Sequence, residues 1–262
     1  MKIGIFDSGI GGTSIWKEIV TLLPNYPTIY LSDSINAPYG ERTRQEIIDL
    51  CFKNTKALIE AGASIIVVAC NTATTNAIGE LRDKFDIPFI GIEPAIKPAA
   101  LASITKTVGI LATKGTLNSK LFAETSKNFS DIHFIEQIGT GLVEHIESGD
   151  LESKTLKTLL SSYLQPMLDA KADHIVLGCS HYPYLIPLIK EITGNTIPII
   201  DSGFAVAIQT KRILDQEEIL PKDDSQGVLH QFYSNSKNLN PLKMVLATEG
   251  LPLKIKIDHL DF

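Results

Sequence analysis

Cysteine is scarce in this chain: three residues among 262, at 51, 70 and 179, with no Cys-x-x-Cys pair. That excludes a disulfide framework and a zinc knuckle, so no metal is expected, and it fits a reducing compartment. Long apolar runs are missing too, none approaching the roughly 20 residues that cross a bilayer. An acid at Asp7 comes too early for a secretory leader. A cytoplasmic protein without a membrane partner is expected. Basic charge is not in excess: 24 Lys and Arg stand against 30 Asp and Glu, a net charge of -6. Without a basic stripe to neutralise phosphates, nucleic acid is not an expected partner, although a small anion is. Disorder is excluded by 44% hydrophobic and 21% charged residues, ordinary values for a chain with a core. At this length two medium α/β domains are favoured over one large one.

What the chain does have is a succession of short apolar runs: Ile3–Phe6, Thr28–Leu31, Ile65–Ala69, Phe89–Ile92, Val108–Leu111, Ile132–Ile135, Ile175–Gly178 and Ile197–Ile200. Such runs, without alternation, read as parallel strands buried on both faces. Between them lie helical patterns, as in Arg44–Ala61, where Ile47, Ile48, Leu50, Cys51, Thr55, Leu58 and Ile59 trace one face. The alternation predicts a doubly wound parallel-sheet α/β architecture.

An internal repeat organises these elements. Residues Ala63–Cys70 align with Ala172–Cys179, and each cysteine is followed 17 or 18 residues later by Ile-Pro and another apolar run. A weaker match aligns Lys2–Ser8 with Thr107–Thr113. Two pseudo-symmetric α/β domains are therefore predicted, with the active site in the cleft between them. The first takes residues 1–97 and about 206–262, the second 98–205, with crossings near Pro94–Thr107 and Asp201–Gly203. In the C-terminal part, a helix over Ala205–Asp215, a polar loop through Gln226 and a strand over Leu253–Ile257 return to complete the first half.

Ligands of parallel sheets bind beyond the carboxyl ends of the strands, where helix N-termini also point. Cys70 and Cys179 each sit directly after a strand, followed by Asn71 and Thr72 or by Ser180 and His181, which cap helices or offer donors to an anion or thiolate. A single cysteine is as readily a small buried hydrophobe, and Cys51, inside the amphipathic helix, is read that way. The repeat sets Cys70 and Cys179 apart, because two packed halves bring equivalent strand ends to opposite sides of one cleft. The glycine-rich Asp7–Thr13 turn lets backbone amides approach an anion. It lacks both the Lys-Ser/Thr of a P-loop and the third glycine of a dinucleotide fingerprint. Asp33, at the end of the second strand, keeps a ribose-binding role open. Asp7 serves as an N-cap, as a proton acceptor or orienting group, or as both. Pro38–Gly40 forms a rigid turn bearing the Tyr39 hydroxyl, and Thr113–Thr116 repeats in the second half the place of Asp7–Gly9.

Taken together, Asp7–Gly12, Pro38–Gly40, Ala69–Thr72, Gly91–Pro94, Thr113–Thr116 and Gly178–Pro183 resemble the motifs of the glutamate racemases, in the aspartate/glutamate racemase superfamily. The resemblance spans most of the chain. It implies a cofactor-independent enzyme that supplies D-glutamate for bacterial peptidoglycan, as a homodimer, with glutamate as its small-molecule partner. It further implies Cys70 and Cys179 as acid and base on opposite faces of Cα, Asp7 assisting Cys70, and His181 with Glu144 assisting Cys179. Ser8, Tyr39, Gly40, Asn71, Thr72, Thr113, Thr116, Ser180 and His181, with Asp7, would contact the carboxylates and ammonium. Ser180 stands where the family usually has threonine, which preserves the hydroxyl.

The chemistry converges with the resemblance, since inverting a stereocentre needs a base on each side of one carbon. Aspartate, or another amino acid of the superfamily, is the alternative substrate. Two other classes remain open: a thiol hydrolase using Cys179 and His181, which leaves Cys70 without a role, and a small-anion or nucleotide-binding module without catalysis.

Overall fold

A computed structural model of the chain describes residues 1–221, 227–247 and 253–262. Its ten strands are β1 (Lys2–Asp7), β2 (Thr28–Ser32), β3 (Ala63–Val68), β4 (Phe89–Gly91), β5 (Thr107–Ala112), β6 (His133–Ile138), β7 (His174–Gly178), β8 (Ile199–Ile200), β9 (Leu229–Ser234) and β10 (Lys254–His259). They form a six-stranded sheet ordered β10-β9-β2-β1-β3-β4 and a four-stranded sheet ordered β6-β5-β7-β8. Every pairing is parallel. The segment β2-β1-β3-β4 and the second sheet share one strand order, the repeat read from sequence expressed as topology. Each of the eight apolar runs overlaps a strand, although only Ile199 and Ile200 of the last run are in β8. The central ones, β1, β3, β5 and β7, are buried almost throughout, as strands covered on both faces must be.

The helices are α1 (Thr13–Leu22), α2 (Arg44–Glu60), α3 (Asn71–Lys84), α4 (Ile96–Ala102), α5 (Lys114–Leu117), α6 (Lys120–Lys127), α7 (Leu142–Glu147), α8 (Lys154–Asp169), α9 (Ile186–Ile192), α10 (Gly203–Gln216) and α11 (Asn240–Ala247). The α2 helix starts on a Thr43/Glu46 capping box. Its buried stripe is Ile47, Ile48, Cys51, Asn54, Thr55 and Leu58. Ile59, expected on that face, is 38% exposed, because the stripe runs through Asn54, which donates to the Tyr39 hydroxyl (3.0 Å). Cys51 is buried in the core, as read.

The C-terminal return is richer than its sequence suggested. The β10 strand joins the six-stranded sheet as expected, but through β9, which the apolar pattern did not reveal. Along β9 the buried positions are His230, Phe232 and Ser234, so polar residues point inward and the usual signal is inverted. The polar loop through Gln226 falls partly outside the described residues. The two stretches of chain that pass between the sheets are tied together where Ser202 donates to the Glu93 carbonyl.

His230 sits edge-on to Trp16, shares a 3.0 Å hydrogen bond with Thr28, and has no partner for Nε2 among the described residues. Burial holds its pKa down to about 4. An unfolded histidine titrates near 6.5. Between these values the unfolded chain takes up a proton that the folded chain refuses, so stability falls as pH drops through that window. The loss is about 3 kcal/mol at full extent. In urea unfolding at pH 7 and pH 4.5, His230→Asn is expected to lose less stability than the wild type on acidification; equal losses would contradict this.

Candidate active site

The carboxyl ends of β1 and β3 in one sheet, and of β5 and β7 in the other, carry Asp7, Cys70, Thr113 and Cys179. Each pair flanks the point where strand order reverses, the position that opens a crevice in a parallel sheet. Past β1 the chain folds around the Asp7 carboxylate, which accepts from the N–H groups of Gly12 (2.9 Å) and Gly9 (3.4 Å). The Tyr30 hydroxyl clamps the same turn by donating to the Gly9 carbonyl (2.8 Å). Asp7 thus builds the turn rather than capping α1, whose N-cap is Gly12. From the other sheet, Ser180 Oγ donates to Asp7 Oδ1 (3.1 Å), and Ser14 Oγ donates to the Ser180 carbonyl (2.9 Å).

His181 lies between three groups: Glu147 Oε1 at 2.5 Å from Nε2, Cys179 Sγ at 3.8 Å from Nδ1, and Asp7 Oδ2 at 3.9 Å from Nδ1. The carboxylate at His181 is therefore Glu147, at the end of α7. Glu144, one turn earlier, is exposed and does not reach the imidazole. Sequence reasoning missed Glu147 because both acids stand on one short helix. Only the structure separates them, through the glycines opposite: a Cβ at Gly9 would collide with the Glu147 carboxylate, and one at Gly11 with the His181 ring. Glu147 also accepts from the Ile10 N–H (2.6 Å) and from Ser34 Oγ (3.3 Å), so it bridges both sheets.

Cys70 and Cys179 line one narrow cavity. Ser8, Tyr39 and Gly40 line it, as do Asn71, Thr72 and Thr113, and Ser180 and His181 complete the predicted residues on its wall. Asp7 stands behind Ser180, and Thr116 behind Thr113 at 3.0 Å between hydroxyls. Thr72 and Thr113, one from each sheet, are 2.8 Å apart. Asn71 is buried with both side-chain polar atoms unpartnered among the described residues, a donor and an acceptor left for a ligand. The Tyr39 hydroxyl does not face the cavity; it donates to Asp33. Asp33 is buried and engaged by Tyr39, Asn36 and Asn235, which leaves no carboxylate free for a ribose. A larger adjoining hollow shares Pro38, Gly40, Thr113 and Val143, and adds Glu41, Lys114 and Glu144. It holds no thiol or imidazole, so the chemistry belongs to the smaller cavity.

The two sulfurs have different neighbours. Burial, reinforced by the Asp7 carboxylate, pushes the Cys70 thiol well up, against the Ala73 N–H and Ser8 hydroxyl. Burial also raises Asp7, opposed by His181. For His181 burial acts downward, but hydrogen bonds to Cys179 and Glu147 and the two nearby carboxylates outweigh it, holding the imidazole protonated. A cation thus faces Cys179, and a carboxylate faces Cys70. No helix among the described residues is long and apolar enough to cross a membrane. Nor do any of them gather three or more His, Cys, Asp or Glu around a metal-sized site.

Residues 3–210 match the Asp/Glu/Hydantoin racemase family. A glutamate racemase of Ralstonia pickettii is 46% identical over 258 residues, 98% of this chain and 91% of that protein. Among solved structures, Escherichia coli glutamate racemase in complex with L-glutamate and the activator UDP-MurNAc-Ala superposes with a TM-score of 0.85 at 31% identity, covering 99% of this chain and 98% of that one. Glutamate racemase from Francisella tularensis, in complex with D-glutamate, gives 0.82 at 26% identity, covering 99% and 97%.

The electrostatic difference between the thiols predicts their reactivity, since the thiolate is the nucleophile. Both are similarly buried, at 4% and 6% exposure, so access does not separate them. With a small haloacetamide at pH 7.5, peptide mass spectrometry should find Cys179 modified before Cys70, and His181→Asn should erase that preference. Faster labelling of Cys70 in the wild type would contradict the assignment.

Proposed function

The chain belongs to the Asp/Glu/Hydantoin racemase family, and we propose on that premise that it interconverts L- and D-glutamate by proton transfer between Cys70 and Cys179. The observation that carries the proposal is the placement of two thiols at equivalent strand ends of two like-ordered sheets, on the wall of a single cavity. The α-hydrogen is removed by one sulfur as thiolate, and a proton is delivered from the opposite face by the other as thiol; the roles exchange with the handedness of the substrate.

In this reading His181, held by Glu147, steadies the thiolate of Cys179, and Asp7 keeps company with a protonated Cys70. The carbanion that forms on Cα spreads its charge onto the α-carboxylate. Fixed donors therefore matter most there, and Ser8, Asn71, Thr72 and Ser180 supply them. The Thr113 and Thr116 hydroxyls lie 2.8 and 3.5 Å from that of Thr72 and belong to the same donor cluster. In this reading the fixed donors carry the carbanion's charge in place of an electron sink, so the proposed reaction is cofactor-independent. The division into residues 1–97 with about 206–262 and residues 98–205 gives each thiol its own half of the cleft. The family resemblance extends the proposal to a cytoplasmic homodimer that supplies D-glutamate for peptidoglycan.

Glutamate is favoured over aspartate because the neighbours sharing the whole chain's architecture are glutamate racemases, two of them with glutamate bound. In D₂O without added cofactor, the wild type should exchange the α-hydrogen of both glutamate enantiomers. Cys70→Ser and Cys179→Ser should each lower racemisation by roughly 10²–10⁴-fold, damaging exchange from the two enantiomers unequally and in opposite order. No exchange with either enantiomer would reject the proposal, and loss of a hydrolytic activity in Cys179→Ser alone would favour a thiol hydrolase.

A further inference from the structure

The loop that follows β2 is anchored by a residue beyond the segment that matches the family, which ends at 210. Asn235 lies immediately past β9, is 5% exposed, and turns three polar groups toward residues 32–35. Its backbone N–H donates to the Ser32 carbonyl (3.3 Å), its Oδ1 accepts from the Ile35 N–H (3.0 Å), and its Nδ2 donates to Asp33 Oδ1 (2.5 Å). The side-chain orientation is fixed by its partners, since an N–H requires the amide oxygen and a carboxylate requires the amide nitrogen.

Asp33 passes this anchorage on. Asn36 Nδ2 donates to its Oδ1 (2.7 Å), and the Tyr39 hydroxyl donates to its Oδ2 while accepting from Asn54 Nδ2 (3.0 Å). Burial and the Asp33 charge keep Tyr39 protonated, hence a donor. A buried carboxylate is tolerated where donors surround it, and most of these belong to the loop that shapes the substrate cavity. On its other side that loop meets α5: a Cβ on Gly115 would lie 3.2 Å from Gly40 Cα and 2.8 Å from Thr72 Cγ2. The rim is therefore set from below by Asp33 and from the side by α5.

We propose that Asn235 and Asp33 are positioning residues for the reaction, acting through Tyr39 to fix the Pro38–Gly40 rim of the cavity. The inference rests on the racemase reading. The rim touches the unreacting frame of the substrate in ground and transition states alike, so its loosening weakens uniform binding and raises KM rather than lowering kcat.

The test assays Asn235→Ala, Tyr39→Phe and the double variant with each enantiomer, and follows amide exchange at residues 39–41. Each single variant should raise KM about 10-fold, the effect of one hydrogen bond, with kcat within about 3-fold of wild type. The double variant should be no worse than the larger single effect, because both act on one relay. Amide exchange at 39–41 should accelerate in all three. Unchanged KM, a loss confined to kcat, or multiplying effects in the double variant overturns the proposal. Should Asn235→Ala not fold, Tyr39→Phe, which removes one hydroxyl and keeps the ring, decides by the same KM and exchange criteria. Should the wild type not exchange the α-hydrogen of glutamate, the racemase reading falls by itself; the anchorage is then judged by amide exchange, upheld if 39–41 is deprotected in the variants and overturned if it is not.

Discussion

One carboxylate holds the cleft together. Glu147 accepts from the Ile10 N–H on the six-stranded sheet's side and pairs with His181 on the other, at 2.6 and 2.5 Å. Hydrogen bonds in which one partner is ionised are about twice as strong as neutral ones, and this one lies in a place largely closed to water. Its geometry decides the sequence opposite. At Gly11 a Cβ would meet both the ring and the backbone of His181, and at Gly9 it would push the Glu147 carboxylate out of its hydrogen bonds. The glycine-rich turn, read first as an anion cradle, is thus also the surface that lets two sheets approach closely enough to share a cavity.

From that approach the chemistry follows. Two sheets of the same strand order meet at their carboxyl ends, so equivalent residues face one another instead of lying side by side. The backbone symmetry is not matched by the electrostatics. Cys70 has Asp7 as its charged neighbour, and Cys179 has the His181 imidazolium. Unequal surroundings allow one sulfur to hold a proton while the other has given its proton up, the condition for a proton to enter one face of a carbon as another leaves.

Much of the fold was legible because it rests on short apolar strands. Runs such as Ile65–Ala69 and Ile175–Gly178 are buried on both faces and carry no polar interruption, and the repeat around Cys70 and Cys179 exposed the paired sites. What escaped is polar and buried. The β9 strand turns His230 and Ser234 inward. The α2 stripe passes through Asn54 and leaves Ile59 at its exposed margin. Tyr39 spends its hydroxyl on Asp33, and Glu147 takes the place assigned to Glu144. Hydrophobic periodicity cannot report such positions, since their burial is set by hydrogen-bond partners distant in sequence, as Asn235 is from Asp33.

The most direct test is a crystal structure of the protein with glutamate bound in the cavity between the thiols. The sulfur atoms of Cys70 and Cys179 should stand on opposite faces of Cα, each at about 3–4 Å, the range of a near-attack geometry. Both sulfurs on one face, or glutamate settled in the adjoining hollow beside Lys114 with Cα beyond reach of either thiol, would contradict it.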